Sequence, residues 1–234
     1  MSENTTKRKS GITTITRDPP SLLANQTIVL LKPMLKKSTS VLKAFQQRKT
    51  IREISDRKLP LQTLSDLLWA ACGVNRKKGP FGLPGRTAAT ASNSQEIDLY
   101  IALEEGIYFY DPIKHCLVMK VAGDLRSLAI GHGQVNFGDK APVRLIYVAD
   151  INKLVNTSGY QEPGLRNPEI QKSYYFVDTG IIAGNVYLFA ASNGLASWFH
   201  NCNKQALAEK LKLPDDQRVL FGQTIGFKAR IKSN

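Results

Sequence analysis

Two periods of apolar positions run through this chain. Around residues 97–103 (IDLYIAL) and 107–110 (IYFY), short runs of β-branched and aromatic side chains predict two strands. They are joined at Glu104, Glu105 and Gly106. Asp111 and Pro112 turn the chain into a third strand near 117–121, and the segments 143–149 and 219–227 read as two more. Helical spacing appears elsewhere. Leu61, Leu64, Leu67, Leu68 and Ala71 follow Pro60 on one face, and Gly73 marks the stop. Ser40 reads as the N-cap of a short helix that buries Val41, Leu42 and Phe45. Residues 124–130 read as helical, and Asn203 caps a last helix carrying Leu207 and Leu211.

The segment 173–193 predicts the longest helix, ended by Gly194. Its middle, 181–191, is apolar on nearly every side, so it must be covered all round. In a chain this small, that implies a second subunit over part of it, and Ala183, Gly184, Ala190 and Ala191 permit close backbone approach. Helices and strands mix without a regular strand–helix–strand alternation, which makes the fold class α+β. Residues 1–36 lack periodicity and contain Pro19 and Pro20, so they read as an extended N-terminal arm ahead of one domain, 37–234. Within the arm, residues 28–31 either dock as a strand or pack on a neighbouring subunit. The basic, glycine- and proline-rich stretch 75–85 reads as a mobile loop.

Composition narrows the classes. With 234 residues, 42% hydrophobic and 22% charged, the chain can bury a sizeable core. No apolar run approaches the roughly 18 residues of a membrane span. Residues 1–18 lack the apolar core of a signal peptide, so a cytoplasmic location is expected. Cys72, Cys116 and Cys202 show no metal or redox spacing and fit a reducing compartment. His115, His132 and His200 have no ligand spacing either, so no metal is expected. Gly131, Gly133 and Gly138 do not form a dinucleotide fingerprint. The net charge of +13 would suit nucleic acid, an acidic membrane surface or an anionic ligand. No nucleic-acid reading motif accompanies it, so a basic nucleic-acid-binding module stands only as the rival from another class.

Candidate chemistry concentrates in two stretches. Arg48, Lys49, Thr50 and Arg52 lie within RKTIR at 48–52, and guanidiniums bind phosphate oxygens through paired, charge-assisted hydrogen bonds. Asn93 and Gln95 lie within TASNSQE at 90–96, and their carboxamides offer donors and acceptors for the edge of a heterocycle. Together they suggest a phosphorylated heterocycle, with flavin mononucleotide (FMN) as the leading candidate. Blander roles stand beside these. Arg48 and Arg52 could complement a helix end, and Asn93 and Gln95 could bond nearby backbone. Asp178 could be a helix-terminal carboxylate. Asn185 needs a buried partner, either across a dimer or near a flavin.

In order along the chain, RKTIR (48–52), SDLLWAACGVNR (65–76), RTAATASNSQEIDLYI (86–101), GIYFYD (106–111), DTGIIAGNVYLFAASNGLAS (178–197) and QTIGF (223–227) resemble the flavin-dependent nitroreductase superfamily. The resemblance is strongest to its SagB-type, ThcOx-like dehydrogenase branch. It implies a homodimeric α+β sandwich, with a central antiparallel or mixed sheet flanked by helices and FMN at the subunit interface. By that resemblance Arg48, Thr50 and Arg52 hold the phosphate and ribityl chain, with Lys49 contributing through its backbone. The family's proline-serine-hydrophobe-x-asparagine loop falls on Ala89, Thr90, Ala91, Ser92 and Asn93, and Gln95 approaches the ring. His200 and Asn201 line the flavin face, and Lys228 or Arg230 supplies a last phosphate contact. The reaction implied is ping-pong hydride transfer from NADH or NADPH to an electron-poor aromatic or quinone-like acceptor. The alternative is oxidation of a ring or peptide substrate. The acid–base lysine-tyrosine pair of azoline-oxidising relatives finds only Lys172 and Tyr174, separated by Ser173.

Overall fold

The computed structural model describes residues 26–34, 39–134, 141–159 and 163–229. Most of the arm, residues 1–25, and Arg230 lie outside these. In chain order the elements are β1 (Thr27–Val29), α1 (Val41–Gln47), α2 (Leu61–Cys72), β2 (Val74–Arg76), β3 (Gly85–Arg86), β4 (Ile97–Ala102), β5 (Gly106–Asp111) and β6 (Cys116–Ala122). They continue with β7 (Val143–Asp150), α3 (Ile151–Val155), α4 (Pro168–Ser192), β8 (Leu195–His200), α5 (Lys204–Leu211) and β9 (Gln217–Phe227). Seven strands form one sheet in the order β1-β6-β5-β4-β7-β9-β8. Every pairing in it is antiparallel.

Both faces of this sheet are covered, so the two-residue period of each strand sorts its side chains into two cores. Ile97, Leu99 and Ile101 of β4 pack with Leu145 and Tyr147 of β7 beneath α2 and α4. Tyr100 and Ala102 pack with Ile146 and Val148 of β7 and Leu207 of α5 on the opposite side. The α2 periodicity works as expected: Leu67, Leu68 and Ala71 are wholly buried. Ser40 caps α1, accepting from the Lys43 amide, and Asn203 caps α5, accepting from the Ala206 amide.

Three expectations change. The helix expected at 173–193 begins five residues earlier, because Asn167 accepts a hydrogen bond from the Glu169 amide and Pro168 occupies the first turn. The stretch 75–85 is a built hairpin, with β2 pairing β3 and Gly79 N–H donating to Leu83 O at 2.9 Å. The expected apolar face of α1 points outward: Val41, Leu42 and Phe45 are exposed, Leu42 by 77%, and Ala44 makes the inward contact instead. The apolar centre of α4 is only partly covered by the described residues, which leaves the expected cover by a second subunit open. Ile182, Ala183, Val186 and Ala190 are buried, while Val177 is 61% exposed and Ile181 is also on the surface. Of the two alternatives for residues 28–31, strand docking holds, since β1 pairs with β6 at the sheet edge.

Candidate functional site

Segment 48–55 leaves α1 and runs along the β8–β9 edge. Backbone bonds hold it there: Ile51 N–H to Ser197 O at 3.0 Å, Ser55 N–H to Phe227 O at 2.9 Å, and Ala229 N–H to Glu53 O at 2.9 Å. Its side chains gather around Tyr187 of α4 and Trp198 of β8. The Arg48 guanidinium lies 5.7 Å from the Tyr187 ring centre and that of Arg52 lies 5.4 Å from the Trp198 ring. The Thr50 hydroxyl is 3.1 Å from the Tyr187 hydroxyl, which also accepts from the Phe199 amide at 2.9 Å. A cavity of about 480 Å³ opens beside them, lined by Lys43, Lys49, Ile51, Tyr187 and Lys228 among others and, among the described residues, by no carboxylate. Among the described residues, Arg48, Lys49, Arg52 and Lys228 form no ion pair. Unpaired cations around a concavity without an acid suit an anion such as a phosphate.

The second stretch forms a tight loop against the other face of α4. Thr90 Oγ1 accepts from the Gln95 amide at 3.0 Å, and the Ala91 amide donates to Asp178 Oδ2 at 2.9 Å. Ser92, Asn93 and Gln95 all adopt left-handed backbone, with φ of 48°, 55° and 53°. Asn93 Nδ2 donates to Pro80 O at 3.0 Å, and Gln95 Nε2 donates to Pro84 O at 2.7 Å and to Asn93 Oδ1 at 2.9 Å. These amides therefore hold the β2–β3 hairpin and explain why it is ordered. Gln95 also faces a cavity of about 440 Å³ shared with Phe81, Leu83, Pro84, Arg86 and Lys153.

The two stretches do not meet within one chain. Asp178 and Tyr187, their anchors on α4, lie nine residues apart. That is about 14 Å along the axis and two and a half turns, which places them on opposite faces.

His200 ends β8 and Asn201 follows it, at the same edge as Trp198. His200 is 5% exposed, and both its nitrogens are engaged: Nδ1 donates to Asn201 O at 2.7 Å, and Nε2 accepts from Thr224 Oγ1 at 2.7 Å. Burial lowers its pKa to about 4. The imidazole is neutral at neutral pH. Gly222 pairs with His200 across β9, and a Cβ there would meet Ala129 O at 2.5 Å and the imidazole at 2.8 Å. Only glycine leaves room for the ring.

Asn185 finds its partners inside the chain, donating toward Ala71 O at 3.2 Å and Thr87 O at 3.4 Å, so neither a dimer contact nor a flavin is needed to satisfy it. Asp178 is not at a helix end, because α4 starts at Pro168; it is a buried side chain of the helix body. Cys202 is buried and its thiol is pushed up to about 11 by desolvation, which makes it inert. Among the described residues no cluster could hold a metal ion. Tyr187, Lys43 and the contact of Glu96 with Asp178 were missed from sequence. A polar ring inside the apolar run of α4 was the available signal for Tyr187.

The residue pattern of the nitroreductase family matches positions 45–227. The chain belongs to the nitroreductase family. It is 30% identical over 158 residues to "Putative nitroreductase MJ1384" of Methanocaldococcus jannaschii, covering 64% of this chain and 73% of that one. Among solved structures, a "putative nitroreductase" from Ralstonia eutropha matches with 33% identity and a TM-score of 0.74, over 95% of this chain and 99% of that one. A chain of the Escherichia coli microcin synthetase McbBCD complex shares the fold at 17% identity and a TM-score of 0.62, over 93% of this chain and 85% of that one. The fold is the nitroreductase fold and the protein is an oxidoreductase of that family. No helix among the described residues is long and apolar enough to cross a membrane.

Proposed function

We propose that this nitroreductase-family chain binds FMN between two copies of itself and passes hydride from NADH or NADPH to an electron-poor aromatic or quinone-like acceptor, one substrate leaving before the next enters. The lysine-lined cavity beside Arg48, Thr50 and Arg52, which no carboxylate among the described residues lines, carries this reading, together with family membership. Arg48, Arg52, Lys49 and Lys228 would hold the phosphate, with Thr50 oriented by Tyr187. The loop 90–95 would meet the ring from the partner copy, because within one chain it faces away from the phosphate residues. The exposed apolar side chains of α1 and α4 support such a dimer: Leu42, Phe45, Val177 and Ile181 would cost free energy if left in water. Bound flavin supplies the hydride-accepting and hydride-donating centre. The chain's own contribution is position, exclusion of water and fixed charge. A neutral His200 and a buried Trp198 form a wall rather than a proton source.

Within the family the motifs resemble the SagB-type branch most. Azoline oxidation gains no support from Lys172, which is ion-paired to Glu169 at 2.5 Å on an exposed turn of α4. A visible spectrum of the purified protein, followed by anaerobic titration with NADH and NADPH, tests the proposal. Protein that stays colourless after incubation with FMN refutes it. Bound flavin that neither nucleotide bleaches removes the nicotinamide half.

A further inference from the structure

Glu96 is wholly buried, and Asp178 is 4% exposed. One Glu96 oxygen, Oε2, accepts from Ser94 Oγ at 2.6 Å. The other, Oε1, is buried without a hydrogen-bond partner among the described residues, and the neighbouring acid is Asp178, whose charge and side chain both act to raise the Glu96 carboxyl. Asp178 Oδ2 in turn accepts from the Ala91 amide. Two carboxylates in contact inside a protein cannot both be ionised, so one must carry a proton and donate it to the other. The surrounding charges do not change this. On β4, Asp98 takes Lys153 of α3 at 2.6 Å, and Lys153 also reaches Asp150 at 3.7 Å. Arg86 of β3 acts on Asp98 and Cys72. Asp150, whose amide donates to Glu96 O at 2.8 Å, adds only negative charge.

The clamp brackets a strained segment. Ser92, Asn93 and Gln95 hold left-handed backbone, and such geometry persists only where its surroundings enforce it. The bond from Ala91 to Asp178 fixes one end of the segment. The bond from Ser94 to Glu96 fixes the other. We propose that Glu96 and Asp178 share one proton, and that this protonated pair is the positioning device that holds the 90–95 loop on α4 in the shape that receives the cofactor ring. Glu96 and Asp178 touch no reacting atom; they act through Thr90, Asn93 and Gln95. The part concerning the ring rests on the FMN reading above. Burial first, then the Asp178 charge, push the Glu96 carboxyl well above the usual carboxylate range. Alkali therefore removes the proton to solvent, leaves two facing anions, and loosens the loop.

The test uses the full chain with 13C-labelled carboxyl groups, the variants Glu96→Gln and Asp178→Asn, and pH from about 6 to about 9.5. Either amide replaces the shared proton with a permanent N–H donor. In the wild type, one of the two carboxyl resonances is expected to titrate well above the ordinary carboxylate range. Amide exchange across 88–98, normalised to the intrinsic rate, should accelerate about tenfold or more as it does so. Each variant should hold that exchange constant, and FMN affinity should fall about tenfold with pH in the wild type but less than about twofold in the variants. Ordinary titration of both carboxyls, or equal pH dependence in wild type and variants, overturns the proposal even if FMN binds. Absence of FMN binding at every pH overturns the FMN reading instead, while the carboxyl titration and exchange still decide whether the pair clamps the loop. Should neither variant fold, the wild-type titration alone decides it.

Discussion

Replacing His200 by asparagine should remove a specific slice of acid sensitivity. In the folded chain the imidazole is buried, its Nδ1 donates to Asn201 O, its Nε2 accepts from Thr224, and its pKa is lowered from 6.5 to about 4. In the unfolded chain it returns to about 6.5. Between those values the unfolded state binds more protons, so this group's contribution is fully present above about pH 6.5 and is lost as pH falls toward about 4. At about 1.4 kcal/mol per unit, the whole span is worth about 3 kcal/mol, of which about 2.5 kcal/mol is lost by about pH 4.5. Asparagine keeps a donor for Asn201 O but cannot titrate. The variant should be less stable than wild type at pH 7, because Thr224 loses its acceptor, yet its stability should fall less on acidification. Urea unfolding at about pH 7 and about pH 4.5, at one fixed protein concentration, measures both terms. If the two proteins lose the same free energy between those pH values, the buried neutral imidazole is refuted.

Three further outcomes are expected. Arg52→Ala should weaken FMN binding by about ten- to a hundredfold while leaving riboflavin within about twofold, because only FMN carries the phosphate; flavin fluorescence titration separates the two, and an equal loss for both removes Arg52 from the phosphate site. Leu42→Lys and Val177→Lys place charges on the outward apolar faces of α1 and α4 and should shift sedimentation toward the monomer without lowering helix content; an unchanged dimer would locate the interface elsewhere. Gly222→Ala drives a methyl to 2.5 Å from Ala129 O and should destabilise by about 1–3 kcal/mol in urea unfolding, with a disturbed His200 resonance; full stability would show that the sheet yields there.

The elements that sequence made legible are those whose signal is local. Residues 97–103 and 143–149 read as strands because their apolar runs are short and bounded by turns, and both are central strands of the sheet. Ser40, Gly73 and Asn203 announced helix ends because caps act within a few residues. The order of six motifs placed the chain in its family, and with it the sheet and its flanking helices. Along the chain, however, an apolar side chain looks the same whether its partner is its own core or another molecule. That is why Leu42 and Phe45 were expected inside and stand outside.

What only the tertiary structure decided depends on which distant segments face one another. The Ala91 amide meets Asp178 across 87 residues, and nothing in either neighbourhood predicts it. The hairpin at 74–86 is ordered because Asn93 and Gln95 reach back to Pro80 and Pro84, a closure that its own glycines and prolines do not encode. Sequence named both halves of the candidate site, while the phase of α4 put them on opposite faces of one helix. Residue type and spacing determine what chemistry a segment offers. The packing of elements far apart in the chain determines which of those offers share a place, since burial and charge act through space rather than along the backbone.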